Sequence, residues 1–334
     1  MIASVHFKNF KALRSATVSL EPFNLVIGPN GSGKTSLIQA LLRLRTLAAL
    51  PASRTRELKH AQAGGPEIEF RFLPPFDGLR VISACAPDEL VCDTLVVQHP
   101  PGDPGEQLWE KLRARLLTMR GFLLDHYAMA VPAKRDEGRE LASNAGNLAA
   151  VLADWRQHTP ETLERLETEF RRIVPEFKGL EFRHPDAASV ELLARVNGDA
   201  VPADSLSQGT LYLLAILTLA FAPEPPAVVC LEEADRGVHP RMLREIRDAL
   251  YRLSYPHDFG ETRAPVQVIT TTHSPYLLDL FKDHPDEVVL ANKHGRSATF
   301  ERLSARDDLR ELLSESNLGD LWYSGILGGT PDEA

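Results

Sequence analysis

Eight residues in a row, Gly28-Pro29-Asn30-Gly31-Ser32-Gly33-Lys34-Thr35, match G-x-x-x-x-G-K-[ST]. Small residues at these positions let consecutive backbone N–H groups turn inward and cradle a polyphosphate. A lysine at the seventh position reaches the outer phosphates, and a following Thr hydroxyl is placed to ligate Mg²⁺. The alternative is a glycine-rich turn that binds nothing. Both glycines, the lysine and the threonine are in register after the apolar run Phe23-Asn24-Leu25-Val26-Ile27, and a helical pattern opens at Ser36. Strand, loop and helix are the setting the pattern requires, so the stretch from Gly28 to Ser36 implies binding of a nucleoside triphosphate.

Three further segments carry side chains suited to act on such a ligand. Ala227-Val228-Val229-Cys230-Leu231 is an apolar run ending in Glu232-Glu233. A strand end holds carboxylates rigidly, one for a metal ion and one to orient an attacking water. Two solvent-facing acids at a strand terminus are the plainer reading. Asp204-Ser205-Leu206-Ser207-Gln208-Gly209-Thr210 opens an apolar helix and is either a second anion site or a simple cap by Ser207. Thr270-Thr271-Thr272-His273-Ser274-Pro275 follows a second apolar run and offers His273 to a terminal phosphate. Gln98 is the candidate for a further phosphate-sensing side chain, with an ordinary surface glutamine as the alternative.

The elements that must hold these groups follow from periodicity. Strands are predicted at Ile2–Phe7, Ala16–Leu20 and Phe23–Ile27, then at Glu67–Leu73, Leu79–Ala84 and Asp93–Gln98. Pro100 to Gly105 is the clearest break in the chain. Beyond it Trp109, Leu112, Leu116, Met119 and Leu123 recur at helical spacing, as do Leu163, Leu166, Phe170 and Ile173. Strand alternation resumes at Val190–Val196, and Asn197-Gly198 after it predicts a hairpin turn. Helix (Thr210–Ala220), strand (Ala227–Leu231), helix (Arg241–Leu253), strand (Val266–Thr270) and a helix from Pro275 then alternate. Continuous apolar strands between helices predict a parallel sheet covered on both faces. The expected fold class is α/β, divided as residues 1–104, a helical insertion lobe at 105–180, and 181–334. The stretch from Leu309 to Gly329 reads as a short helix and a glycine-containing tail.

Composition sets limits on the setting. The 43% hydrophobic and 25% charged residues are ordinary for a globular chain. The longest apolar stretch, Leu211 to Ala222, is too short to span a bilayer, and Met1 to Phe7 lacks the pattern of a secretion signal. Three cysteines form neither a disulfide framework nor a zinc pair, so a reduced, cytoplasmic setting is expected. The net charge of -9 argues against a generally basic nucleic-acid coat. Residues 1–60 nevertheless carry +7, with Arg43, Arg45, Arg54, Arg56 and Lys59 trailing off the phosphate-loop helix. These cations are either a contact patch for a phosphate backbone or a solvated helix end.

The order of phosphate loop, Ser-x-Gly helix start, acidic strand end and histidine resembles the ABC-type ATPase heads of the RecF/SMC/OLD group, often catalogued as AAA_21 domains. Val5–Lys11, Gly146–Leu152 and Glu232–Pro240 are similar to segments of the same proteins, so the resemblance spans nearly the whole chain. It implies a P-loop NTPase fold of ABC type that dimerises head to tail and sandwiches two ATP molecules. Each site then joins the phosphate loop of one copy to Ser207-Gln208-Gly209 of the other. By the same resemblance Lys34 and Thr35 hold phosphate and Mg²⁺, Glu232 takes the metal-linked position, Glu233 is the general base and His273 senses the γ-phosphate. Two departures stand out: Glu232 occupies a position usually held by Asp, and Gln208 stands where transporter-type sequences have a second glycine. The resemblance implies an ATP-gated switch for a separately encoded effector, such as a Toprim-like nuclease, in a phage-defence or DNA-linked system. A RecF-like repair clamp binding DNA directly is the second reading, and an ABC transporter motor a distant third.

Overall fold

The computed structural model describes residues 1–50, 65–85, 92–99, 103–138, 140–295 and 297–328. In chain order the first elements are β1 (Ile2–Phe10), β2 (Leu13–Ser19), β3 (Phe23–Ile27) and α1 (Lys34–Ala48). They are followed by β4 (Glu67–Phe72), β5 (Arg80–Cys85), β6 (Cys92–Gln98), α2 (Asp103–Leu117) and β7 (Arg120–Phe122). The middle of the chain holds α3 (His126–Ala130), β8 (Ala133–Lys134), α4 (Leu148–His158), α5 (Pro160–Ile173), β9 (Phe177–Arg183), β10 (Ser189–Val196) and β11 (Asp199–Pro202). Then come α6 (Gln208–Phe221), β12 (Val228–Leu231), α7 (Leu243–Ser254), β13 (Gln267–Thr271) and α8 (Pro275–Asp279). The last are β14 (Val288–His294), β15 (Ser297–Arg302), α9 (Leu309–Glu315) and α10 (Leu318–Tyr323).

These elements form two units, each discontinuous in sequence. One comprises Met1–Gly121, Pro226–Cys230 and Pro265–Ala334; the other comprises Phe122–Pro225 and Leu231–Ala264. The first unit contains an antiparallel sheet in the order β2-β1-β4-β5-β6 and most of a six-stranded sheet in the order β15-β14-β3-β13-β12-β7. Strand β3 runs parallel to both its neighbours, β13 and β14. All five residues of β3 are buried, as are all five of β13, so neither strand alternates between a buried and an exposed face. Two buried amides lock the start of this sheet. Gln267 donates to Ile2 O at 2.8 Å and accepts from Ile2 N at 2.9 Å, while Asn24 donates to Glu21 O at 2.7 Å and Val268 O at 3.2 Å. Each is fully enclosed, so these bonds offset a desolvation cost that apolar packing could not. Cys92 is disulfide-bonded, against the expectation of reduced cysteines, and the buried Cys230 is in no disulfide.

The second unit packs α4, α5, α6 and α7 with the strands around β10, which pairs antiparallel with β8, β9 and β11. Helix α6 is apolar on every side, with twelve of its fourteen residues buried. It is held laterally by charge and ring contacts. Arg165 and Arg252 each donate to Glu261 Oε1 at 2.7 Å, and both stack on Phe221, with Arg252 4.3 Å from the ring centroid. Arg263 meets the same Glu261 carboxylate, and burial pulls its guanidinium below the usual arginine range. Phe170 is 1% exposed and meets Phe177 edge-on at 4.5 Å between centroids. Phe170→Ala is expected to destabilise the chain by about 3–5 kcal/mol, read as the midpoint shift in a denaturant melt.

Several expectations meet differences. The helical spacing through Leu123 breaks at Leu117, and Arg120–Phe122 is strand β7. Gly121 sits in β7 with the Leu42 side chain of α1 against it, where a Cβ would lie 2.6 Å from Leu42 Cδ1. Strands β9, β14 and β15 had no counterpart in the sequence reading. The segment after Leu309 forms two helices, α9 and α10, and folds back through buried Leu318, Leu321, Trp322 and Leu327, while Tyr323 and Ile326 are exposed. Arg54, Arg56 and Lys59 lie outside the described residues. Among the described residues no helix is long and apolar enough to cross a membrane.

Candidate functional site

The phosphate loop leaves the carboxyl end of β3, where the open parallel sheets of α/β folds place their ligands. Gly28 has φ +150°, and a Cβ on it would meet Ala291 O of β14 at 2.2 Å, so no other residue passes at this point. Gly33 caps α1 with φ +100°. Leu37 N bonds back to Gly33 O at 2.9 Å, so the helix starts directly beneath the loop. Lys34 is only 8% exposed, and its ammonium donates to Gly28 O at 2.6 Å and Pro29 O at 3.0 Å. Ser32 Oγ is buried and has no hydrogen-bond partner within the chain. A buried cation beside an orphaned hydroxyl is costly without a ligand and suits a phosphate group that accepts from both. The loop residues therefore fit a polyphosphate.

His273 follows β13, the strand parallel to β3, and so leaves the same end of the sheet as the loop. Its neighbourhood is fixed by the backbone. Thr272 N donates to Val26 O at 3.4 Å, Ser274 N donates to Thr272 Oγ1 at 2.9 Å, and Ser274 caps α8 by accepting from Leu277 N at 3.3 Å. The imidazole itself is exposed. Helix α10 clamps α8 in turn: Gly319 N donates to Asp279 Oδ1 at 2.7 Å, and a Cβ on Gly319 would meet Pro275 O at 2.6 Å.

In the second unit, Ser207 caps α6, accepting from Thr210 N at 3.1 Å and sharing a 2.6 Å hydrogen bond with Thr210 Oγ1. Its side chain is exposed at the helix start. The acidic pair directly follows β12, and Glu232 N donates to Phe122 O at 2.9 Å. Glu233 stands at φ +53°, a left-handed conformation that a non-glycine residue adopts at a cost of about 1 kcal/mol or more. The turn after it is closed by Arg236 N donating to Glu233 O at 2.9 Å, and the Arg236 guanidinium lies 3.8 Å from Glu233 Oε2. Gln208 covers this turn, because a Cβ on Gly237 would lie 2.3 Å from Gln208 Cδ, and one on Gly209 3.0 Å from Gly237 O. The Ser207–Gly209 segment and the Glu233–Gly237 turn are thus packed on one another, a juxtaposition that no spacing in the sequence announced.

The remaining candidates fall elsewhere. Gln98 ends β6, the edge strand of the antiparallel sheet, and accepts from Arg80 at 3.2 Å. Arg43 donates to Cys92 O and Arg45 to Leu117 O at 3.2 Å, so both serve packing around α1. Among the described residues no three His, Cys, Asp or Glu side chains gather into a metal site of their own. The Thr35 hydroxyl, at the start of α1, is of the type that suits a Mg²⁺ ion held largely by phosphate and water oxygens. One residue the sequence reading missed is Lys293 on β14, whose Nζ lies 3.5 Å from where a Cβ on Gly31 would stand.

A phosphate loop at the end of a parallel strand, with α1 behind it and an antiparallel sheet alongside, defines a P-loop nucleotide-binding fold of the ABC-ATPase type. The comparisons agree. The family described as "AAA ATPase domain" matches residues 1–65, and the family described as "AAA domain, putative AbiEii toxin, Type IV TA system" matches residues 131–279. Among solved structures, an SmcHead bound to the C-winged helix domain of ScpA superposes with a TM-score of 0.61 at 15% identity, covering 92% of this chain and 99% of that one. The SMC head domain from Thermotoga maritima gives 0.51 at 14% identity, covering 90% and 98%. The Smc head domain with an extended coiled coil bound to the C-terminal domain of ScpA, from Pyrococcus furiosus, gives 0.57 at 13%, covering 94% and 99%. No curated protein matches the sequence. The chain has the fold of an ABC-type ATPase head of the RecF/SMC group.

Proposed function

We propose that this chain binds and hydrolyses ATP, closes head to tail with a second copy around the nucleotide, and in doing so switches a separately encoded effector. The observation that carries the reading is the phosphate loop, where the enclosed Lys34 ammonium donates to Gly28 O and Pro29 O and the buried Ser32 hydroxyl has no hydrogen-bond partner. Such a loop gains most when a polyphosphate replaces the carbonyls as acceptor for Lys34. Mg²⁺, when bound with the nucleotide, supplies charge neutralisation at the phosphoryl oxygens. Thr35 and Glu232 hold that ion, Glu233 takes the proton of the attacking water, and His273 contacts the terminal phosphate. The exposed Ser207 hydroxyl, with Gln208 and Gly209, meets the nucleotide of the second copy.

The effector partnership draws on two likenesses. One matched family is described by a toxin–antitoxin system, and two of the similar SMC heads are bound to a partner protein. We favour a defence-type switch over a DNA clamp because Arg43 and Arg45 of the basic segment are engaged by backbone carbonyls. The trans arrangement has its own test. Lys34→Ala and Ser207→Arg copies are each expected to be inactive alone, while an equimolar mixture recovers about a quarter of the parent ATPase rate, since half the dimers are mixed and each has one intact site. No recovery on mixing would remove the head-to-tail sandwich.

A further inference from the structure

We infer that Lys293 is a second cation of the phosphate loop, contacting the terminal phosphate of the bound nucleotide in the same copy. The inference rests on the proposed ATP binding and adds a residue outside the phosphate-loop pattern. Strand β14 lies parallel beside β3, with Leu290 paired to Ile27. That register carries Ala291 to the level of Gly28, and its carbonyl and Cβ lie against Gly28 at 2.2 Å and 3.0 Å from a would-be Cβ. Side chains alternate along a strand, so Lys293, two residues on, leaves β14 on the face by which Ala291 touches the loop. Its Nζ accordingly reaches the bend at Gly31, which has φ +76° and is exposed. The position of this cation is therefore set by strand register and not by side-chain choice alone.

The chemistry completes the loop. The N-terminus of α1 and Lys34 serve the phosphates that sit over Gly33 to Thr35. Asn30-Gly31 is the opposite bend of the loop, and a phosphate reaching beyond the helix start on that side would meet the Lys293 ammonium. A charge-assisted hydrogen bond from Lys293 at that bend favours a triphosphate over a diphosphate. Lys293 is exposed, so its replacement leaves the core intact.

The test is calorimetric titration of the full chain with AMP-PNP and with ADP, each with magnesium. Lys293→Ala is expected to weaken AMP-PNP about tenfold and ADP no more than twofold. Lys293→Arg should recover most of the loss, and Lys293→Glu should deepen it to about a hundredfold by repelling the same phosphate. Unchanged AMP-PNP affinity in Lys293→Ala, or equal losses for both nucleotides, overturns the assignment and leaves Lys293 a packing residue. If the parent chain binds neither nucleotide, the proposed function itself falls, and this inference with it.

Discussion

Lys34→Ala is expected to abolish the thermal stabilisation that ATP confers while leaving the unliganded chain at least as stable as the parent. The two halves have one cause. In the free chain the Lys34 ammonium is enclosed and donates to Gly28 O and Pro29 O. Removing a buried charge held by neutral carbonyls returns a desolvation cost, so the empty variant loses little. With ATP at a hundred times its dissociation constant the parent gains about 2.7 kcal/mol of stability. The variant has lost the charge that meets the phosphates, and that gain vanishes. A melt followed with and without magnesium-ATP reads both halves at once. A variant that still shifts with ATP by the parent amount would show that the nucleotide sits elsewhere, and a variant that fails to fold without ATP would show that Lys34 is structural.

The second large effect is at Glu233. Glu233→Gln is expected to slow hydrolysis by about 10²–10⁴-fold, the usual contribution of a positioned general base. The variant retains ATP and persists as a nucleotide-locked dimer on size-exclusion chromatography. The amide keeps the size and the left-handed backbone of the residue and loses only the proton acceptor. The half-exposed ion pair with Arg236 contributes little to stability, so the fold should not register the change. Glu233→Gly supplies the converse, because glycine takes φ +53° without strain. That variant should be no less stable than the parent, because relief of the left-handed strain offsets the chain entropy of glycine, and equally inactive. Stability gained as activity is lost would mark the strain as part of the catalytic arrangement. Hydrolysis near the parent rate in Glu233→Gln would refute the assignment.

Much of the architecture was legible because the determinants were local. Three glycines, a lysine and a threonine between an apolar run and a helix described the phosphate loop. The mostly apolar runs at Phe23, Ala227 and Val266, none of which alternates, described strands covered on both faces. Local signals failed where tertiary contact overrode them. Arg120–Phe122 carried on a helical period and became β7, a strand beside β12 in the six-stranded sheet. Strand β14 was invisible because Asn292, Lys293 and His294 do not alternate, and so Lys293 was missed with it. The packing of Gln208 on Gly237 joins residues far apart in sequence through shape alone, and a single sequence carries no trace of it.

The placement of β3 has a consequence for how the molecule is made. Its neighbours in the sheet are β13 and β14, so the strand that launches the phosphate loop waits for partners about 240 residues further along the chain. At translation rates of about 5–20 residues per second, that interval is on the order of 10–50 seconds. Throughout it an apolar strand with both edges open is exposed on the nascent chain, a ready template for pairing with the wrong partner. The nucleotide pocket is therefore among the last features to form during synthesis, and ribosome-bound chains stalled before Gln267 should need a chaperone to remain soluble.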